Sequence, residues 1–377
     1  PWSIIAITFT NKAANELKDR LAAMLGPDAQ DVWAMTFHSA CCRILRRDIE
    51  RLGYSRSFTI YDTSDSERLM KDIIKDMGLD DKTFPAKYVL SVISKAKDEM
   101  LSPEEYYIQA KKSYDIRKTK VAELYREYEK RMREADAMDF DDLILNTVLL
   151  LQQHDDVREY YQRKFKYVLV DEYQDTNPLQ DRIFALLSSD NRFMVGDVKQ
   201  SIYRFRSAHP DIFKGYCNIF GKVKNTEKVI LRENFRCDEN IILFCNKVFS
   251  GIKEISDSMN YSEEALIFAK KENLGDHPVC FTLIKGEKEM NAEEKQTAEA
   301  EYIATRINEL AGTPKNDGTP IKYGDIAILF TALKSNISIY KKVFEKAGIP
   351  FKAEKSESFL DKQEILLAIA GLKAIDN

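Results

Sequence analysis

Val168-Leu169-Val170-Asp171-Glu172-Tyr173-Gln174-Asp175-Thr176-Asn177 decides how the rest of this 377-residue chain is read. Together with Tyr167, the first three residues make a short apolar run with β-branched members, the pattern of a buried strand. The run ends on two adjacent carboxylates. At a strand end such a pair can divide labour, one reaching Mg²⁺ through water and the other polarising an attacking water. Alone, an Asp-Glu pair is common, and a solvated strand-to-loop turn explains it. Gln174, Asp175, Thr176 and Asn177 then place four polar side chains within five positions, more than a turn requires.

Working outward, Ile4-Ile5-Ala6-Ile7-Thr8-Phe9 is a second buried-strand run. Thr10 and Asn11 can cap the helix that Ala13, Ala14, Leu17, Leu21, Met24 and Leu25 mark at helical spacing. A third strand, Phe193 to Val195, ends on Gly196-Asp197. Strands that feed helices predict a parallel α/β sheet with its reactive edge at the strand C-termini. Residues 62–138 differ. They are strongly charged and helical by pattern, with Val121, Leu124, Tyr125, Tyr128 and Met132 on one apolar face. The alternation resumes after residue 224 with Val229-Ile230-Leu231, a helix from Glu239 to Phe249, and Ile326 to Phe330. A helix carrying Ile339, Tyr340, Val343, Phe344 and Ala347 then ends at Gly348, and Gly312 to Gly324 reads as an exposed loop. The expected division is therefore a first α/β domain (1–61 and 138–223), a helical insertion (62–137) and an incomplete second α/β domain (224–377).

Composition bounds the rest. Hydrophobic residues at 44% and charged residues at 31% describe a globular chain with ample core, and a net charge of −4 leaves a local basic surface possible. The six cysteines contain no CxxC pair or metal-binding spacing and read as reduced, mostly buried thiols of a cytoplasmic protein. No apolar run approaches the roughly 18 residues of a membrane span. The chain begins at Pro1 and enters a strand at once, as expected of a piece of something longer.

The third strand leads into Gly196-Asp197-Val198-Lys199-Gln200-Ser201-Ile202-Tyr203-Arg204-Phe205-Arg206. Gln200 is placed to touch a terminal phosphate or its water. Tyr203 and Phe205, alternating with Arg204 and Arg206, suit stacking on unpaired bases, worth roughly 1–3 kcal/mol per base. A core strand with snorkelling arginines explains the segment equally well. Arg43, Arg46, Arg47 and Arg51 divide in the same way between a solvated helix face and a phosphate-binding one. Taken alone, His38 is a packed histidine near a helix start.

The order of these segments resembles the superfamily 1A DNA helicases of the UvrD/Rep/PcrA type, over nearly the whole chain. Ala6-Ile7-Thr8-Phe9-Thr10-Asn11-Lys12-Ala13-Ala14 looks like motif Ia and Thr36-Phe37-His38-Ser39 like motif Ib. Asp139-Phe140-Asp141-Asp142-Leu143 looks like the short element before the Asp171 strand. Asp171 to Asn177 looks like motif II, Gly196 to Arg206 like motif III, and Glu233-Asn234-Phe235-Arg236 like motif IV. The resemblance implies a RecA-like motor domain with a helical insertion, followed by part of a second RecA-like domain. It implies ATP and Mg²⁺ as cofactors, with Asp171 on the metal, Glu172 as catalytic base and Gln200 sensing the γ-phosphate. Arg236 would be the arginine finger and Phe235 the aromatic stacked on adenine. Phe9, Asn11, His38, Tyr203 and Phe205 would grip single-stranded DNA, with ss/ds junctions as substrate, movement 3′ to 5′, and repair or recombination proteins as partners.

Two departures stand out. No GxxxxGK[ST] phosphate loop occurs in the 377 residues; in the family it precedes the motif Ia strand, so it is expected upstream of Pro1, and the last motifs downstream of Asn377. Without that loop the chain reads equally as a non-hydrolysing single-strand-binding fragment. Lys199, Phe205 and Met259-Asn260-Tyr261 look more like the AddA/RecB helicase–nuclease subunits, which leaves the branch open.

Overall fold

The computed structural model describes residues 1–204, 207–252, 261–270, 279–285, 290–315, 318–331 and 333–352. Phe205, Arg206, Met259 and Asn260 lie outside the described residues. The chain divides into two compact units, Pro1–Val229 and Ile230–Asn377.

In the first unit four strands, β1 (Ile4–Thr8), β2 (Trp33–Thr36), β5 (Tyr167–Val170) and β6 (Arg192–Met194), form one sheet in the order β2-β1-β5-β6. Every pairing is parallel, with Ile7 opposite Val170 and Leu169 opposite Phe193. Side chains alternate across a strand, and the two faces differ. Ile5, Ile7, Val168 and Val170 are 0–3% exposed. They sit in one core with Phe37, Ile44 and Leu45 of α2 (Phe37–Asp48), Leu143 and Leu151 of α7 (Phe140–Gln153), and Ile183 and Phe184 of α9 (Pro178–Leu187). On the other face Tyr167 and Phe193 are 61% and 59% exposed.

Local sequence explains the helix starts. Thr10 caps α1 (Asn11–Leu25) by accepting from Ala13 N at 3.1 Å. Asp139 and Asp142 close a reciprocal capping box on α7, at 2.8 and 3.1 Å.

The helical insertion leaves and re-enters through a two-residue parallel pair, β3 (Thr59–Ile60) on β4 (Ala137–Met138). Between them run α3 (Thr63–Asp76), α4 (Ala86–Asp98), α5 (Pro103–Lys112) and α6 (Ile116–Glu134). They share a separate core of Met70, Ile73, Val89, Ile93, Leu124, Tyr125 and Tyr128. Beyond β5 the chain continues through α9, β6 and α10 (Pro210–Ile219).

The second unit contains a parallel pair, β7 (Glu233–Asn234) with β8 (Ile267–Phe268), beside α11 (Glu239–Gly251). Helices Ala292–Leu310 and Leu333–Lys346 pack through Ala300, Ala304, Ile307, Tyr340 and Phe344. Two strand expectations fail here. Val229-Ile230-Leu231 carries no ladder, and Val229 and Leu231 are 69% and 78% exposed. Ile326 to Phe330 is also outside any strand, although Ile326, Ile328 and Phe330 all pack on the helix pair. An alternating pattern says which side chains face a core, not whether a neighbouring strand offers hydrogen bonds. Among the described residues the loop 312–324 carries an antiparallel bridge, Pro314 to Pro320.

Candidate functional site

Each strand of the first sheet delivers sequence-selected residues to one edge, the C-terminal one. His38 follows β2, Phe9 and Asn11 follow β1, Asp171 and Glu172 follow β5, and Gln200 and Tyr203 follow β6. Because the strands are parallel, this edge is where loops and helix N-termini converge.

Asp171 is tied to the sheet by its N–H, which donates to Ile7 O at 3.0 Å, and its carboxylate accepts from Glu172 N at 3.0 Å. Glu172 turns the chain in the left-handed region, with φ 54° and ψ 41°, a conformation uncommon outside glycine. Both carboxylates are exposed. Gln174 Nε2 donates to Glu172 Oε2 at 2.6 Å, while Gln174 Oε1 accepts from Asp197 N at 2.9 Å. Asp197 in turn accepts from Gln200 Nε2 at 3.0 Å and pairs with Lys199 at 2.9 Å. Glu172 and Gln200 are therefore joined through Gln174 and Asp197. Burial and the neighbouring Glu172 push the Asp175 carboxyl above the usual range.

Phe9 is half-buried against Phe37, ring centroids 5.3 Å apart. His38 meets Phe140 edge-on at 5.5 Å, and burial holds its pKa below the ordinary value. Asn11 is exposed at the first position of α1, and Tyr203 is half-buried. Phe235 and Arg236 belong to the second unit, where both are exposed and Asn234 Oδ1 accepts from Arg236 N and Cys237 N at 2.9 and 2.8 Å.

Among the described residues no group of three or more His, Cys, Asp or Glu is placed to hold a metal ion. The edge nevertheless fits Mg²⁺, which usually takes one or two carboxylates and completes its shell with water and phosphate oxygens. Thr8 Oγ1, level with Asp171 across the sheet, and Thr176 Oγ1 are buried without a hydrogen-bond partner. The site therefore retains polar capacity for a ligand.

The arginines of α2 and the turn after it resolve toward structure. Arg43 lies 4.1 Å over Trp33, Arg46 3.9 Å over Phe58 and Arg47 3.3 Å over Tyr160, while Arg51 pairs with Asp156 at 2.5 Å. The thiols differ from expectation: only Cys41 is buried, and Cys280 is exposed.

Sequence reading missed a buried ionic cluster behind the edge. Lys97 of α4 is 1% exposed, and its Nζ meets Asp142, Asp139 and Glu129 at 2.7, 2.8 and 2.9 Å. Asp139 is held below the usual carboxylate range by Lys97 despite its burial, while burial and Asp139 push Asp142 up. The next residue, Asp98, accepts from Asn177 Nδ2 at 3.1 Å. The reciprocal spacing of Asp139 and Asp142 signals the start of α7, but nothing in the lysine-rich α4 singles out Lys97. Among the described residues no helix is long and apolar enough to cross a membrane.

Two family descriptions match the chain: the UvrD/REP helicase N-terminal domain over residues 1–220 and the UvrD-like helicase C-terminal domain over residues 229–377. Among curated proteins, the ATP-dependent DNA helicase PcrA of Bacillus subtilis (strain 168) is 37% identical over 382 residues, covering 100% of this chain and 47% of that protein. The PcrA proteins of Leuconostoc citreum and of Staphylococcus epidermidis (strain RP62A) are 36% and 34% identical, each again over 100% of this chain, and over 47% and 48% of their own lengths. The chain thus spans about half the length of the curated relatives it matches.

Proposed function

This chain belongs to the UvrD/REP helicase family, and on that premise we propose that it is the motor core of an ATP-driven DNA helicase. Hydrolysis of ATP would be coupled to 3′-to-5′ movement along single-stranded DNA and to opening of the duplex at a junction. One observation carries the reading: the linked series Glu172, Gln174, Asp197 and Gln200 on the C-terminal edge of a parallel sheet. The link through Gln174 and Asp197 supports reading Glu172 as a carboxylate that activates water and Gln200 as a side chain that reports a phosphate.

Asp171 is the residue that would hold Mg²⁺, which when bound supplies charge neutralisation at the phosphates. Glu172 accepts the proton of the attacking water, and Gln200 contacts the terminal phosphate. Arg236 adds a guanidinium, a contribution worth about 10³–10⁵ in rate where such fingers operate. Phe235 stacks on the adenine. Phe9, Asn11, His38 and Tyr203 contact the strand, and Phe205 joins them. The domain reading that accompanies this places motor residues at 1–61 and 138–223, the helical insertion at 62–137 and the second motor domain from 224.

In the full-length protein, single-stranded DNA is expected to stimulate ATPase, and Glu172→Gln to abolish turnover while oligonucleotide binding persists. Full turnover in that variant refutes the assignment of Glu172. A second reading follows from the absence of a GxxxxGK[ST] loop in these 377 residues: taken alone, the chain binds single strands without hydrolysing ATP. Assaying turnover and oligonucleotide binding on one 377-residue sample separates the two.

A further inference from the structure

Gln174 is 1% exposed, and both ends of its amide are committed. The nitrogen donates to Glu172 Oε2 at 2.6 Å and the oxygen accepts from Asp197 N at 2.9 Å. These partners fix the orientation of the amide, since a carboxylate only accepts and a backbone N–H only donates. Ser201 Oγ, three residues past Val198, also donates to the Gln174 backbone carbonyl at 3.4 Å. The residue thus spans the loop after β5 and the loop after β6.

The surroundings are built around it. A Cβ on Gly196 would lie 2.6 Å from Gln174 Oε1 and 2.9 Å from Phe213 Cε1, so glycine is what lets the amide approach the β6 loop. Glu172 itself is directed at its backbone by the left-handed turn and at its tip by the Gln174 donor. A carboxylate at a solvent-exposed edge would otherwise sample several rotamers.

We infer that Gln174 is a positioning residue: it holds the Glu172 carboxylate in its hydrolytic orientation and carries movement of the Gln200–Tyr203 loop to it. The inference rests on reading Glu172 as the base that activates water. A displacement of Asp197 N by a strand bound at the β6 loop pulls on the amide oxygen, and the amide nitrogen transmits that pull to Glu172.

The test uses the full-length protein, with Gln174→Met, Gln174→Glu and Glu172→Gln compared in steady-state ATPase with and without an oligothymidylate, from pH 6 to pH 9. Gln174→Met keeps the length and loses both hydrogen bonds. Its DNA-stimulated kcat is expected to fall on the order of 10²-fold, the scale of a misplaced catalytic group. KM for ATP and oligonucleotide Kd should stay within about threefold, because binding is not what is removed. In Gln174→Glu the new carboxyl lies between Glu172 and Asp175. Ionised, it repels Glu172; protonated, it restores the donor. Its kcat should therefore recover as pH falls, an acid-shifted profile that a packing defect alone does not produce. Stimulated kcat in Gln174→Met within about twofold of wild type, or a wild-type pH profile in Gln174→Glu, overturns the inference. Full turnover in Glu172→Gln overturns instead the reading beneath it.

Discussion

Replacing Lys97 by methionine removes one cation and leaves three carboxylates. Lys97 Nζ lies 2.7–2.9 Å from Asp142, Asp139 and Glu129, whose side chains are 4%, 14% and 24% exposed. Methionine matches the volume of the stem, so little of the cost is packing. The cost falls on the charge left uncompensated at Asp139, since Asp142 is already pushed up by burial and by Asp139 in the wild type and Glu129 can still be hydrated in part. Breaking one partner out of a buried ion pair costs about 3–5 kcal/mol, a large share of the roughly 5–15 kcal/mol that holds a domain folded. Some relief remains, because Asp139 also accepts from Tyr128 OH at 3.1 Å and from Asp142 N at 2.8 Å. The expected loss is therefore near the lower end of that range at pH 7.5.

The pH dependence supplies the check. In the wild type Lys97 is raised and Asp139 lowered by their mutual attraction. The lysine contribution is complete at every pH below its unfolded value of about 10.4, and the Asp139 contribution at every pH above its unfolded value of about 3.9. Both are thus intact from pH 5 to pH 8. In Lys97→Met the orphaned Asp139 rises instead and takes up a proton as the pH falls. The difference between the proteins should shrink toward pH 5, by up to about 1.4 kcal/mol per pH unit for each proton bound. Hydrogen exchange on peptides from α4, α6 and α7 reads this locally, which suits a chain of two units that need not melt as one. Adding Asp139→Asn and Asp142→Asn should restore most of the loss, since asparagine still caps α7. A Lys97→Met protein within about 1 kcal/mol of wild type at pH 7.5, or a deficit unchanged down to pH 5, refutes the reasoning.

Gly196→Ala forces a Cβ to within 2.6 Å of Gln174 Oε1 and should cost about 1–3 kcal/mol by overpacking, seen as a lower thermal midpoint than Gly215→Ala, where nothing lies within 4 Å. Asp98→Ala removes the acceptor of Asn177 Nδ2 at 3.1 Å; exchange should quicken at the α9 N-terminus and the α4 C-terminus together, and protection lost at α4 alone would show the two are not joined. Burial pushes the Cys41 thiol up to about 12, so at pH 8 iodoacetamide should label the exposed Cys280 well before Cys41, with peptide mass spectrometry as the readout.

The strand ending at Asp171 was legible because burial on one face and a polar run after it are both written in consecutive residues. The same holds for β1, α1 and the cap at Thr10, whose partners lie within three positions. Long-range pairing is different in kind. Ile326, Ile328 and Phe330 alternate as a strand does and face a core, yet among the described residues they hold no ladder, because the backbone partner is chosen by topology. At the edge, Asp171, Glu172 and Gln200 stood out as polar residues beside strand ends, and Gln174 as one of the polar run after the strand. Its link to the β6 loop was not legible, since that depends on Asp197, 23 residues away, and on the missing Cβ of Gly196. The α2 arginines show the converse: a charge run that looks like a binding face is consumed by aromatic rings and a carboxylate whose proximity only folding creates.

How firmly the insertion is held follows from two consecutive residues. β3 and β4 alone would act as a hinge, a two-residue parallel ladder flanked by Thr59 N to Asp136 O and Tyr61 N to Met138 O at 2.8 and 2.9 Å. Rotation about so short a ladder is cheap unless a contact lies off its axis. Lys97 and Asp98, at the last turn of α4, supply two such contacts in different directions. Lys97 reaches the start of α7, and Asp98 reaches Asn177, the residue that caps α9. Asn177 ends the same loop that begins at Asp171. The inserted helices are thus joined to the rest of the unit by a buried ionic cluster, a side-chain hydrogen bond and a strand pair, and Arg133 and Asp136 add bonds to Leu52 O and Ser55 N at the base of the insertion. A displacement of α4 cannot leave Asn177 in place without breaking the Asp98 bond, and Asp98 is half-buried, its pKa raised by burial. A half-buried carboxylate that loses this donor bears part of the desolvation cost of the lost partner.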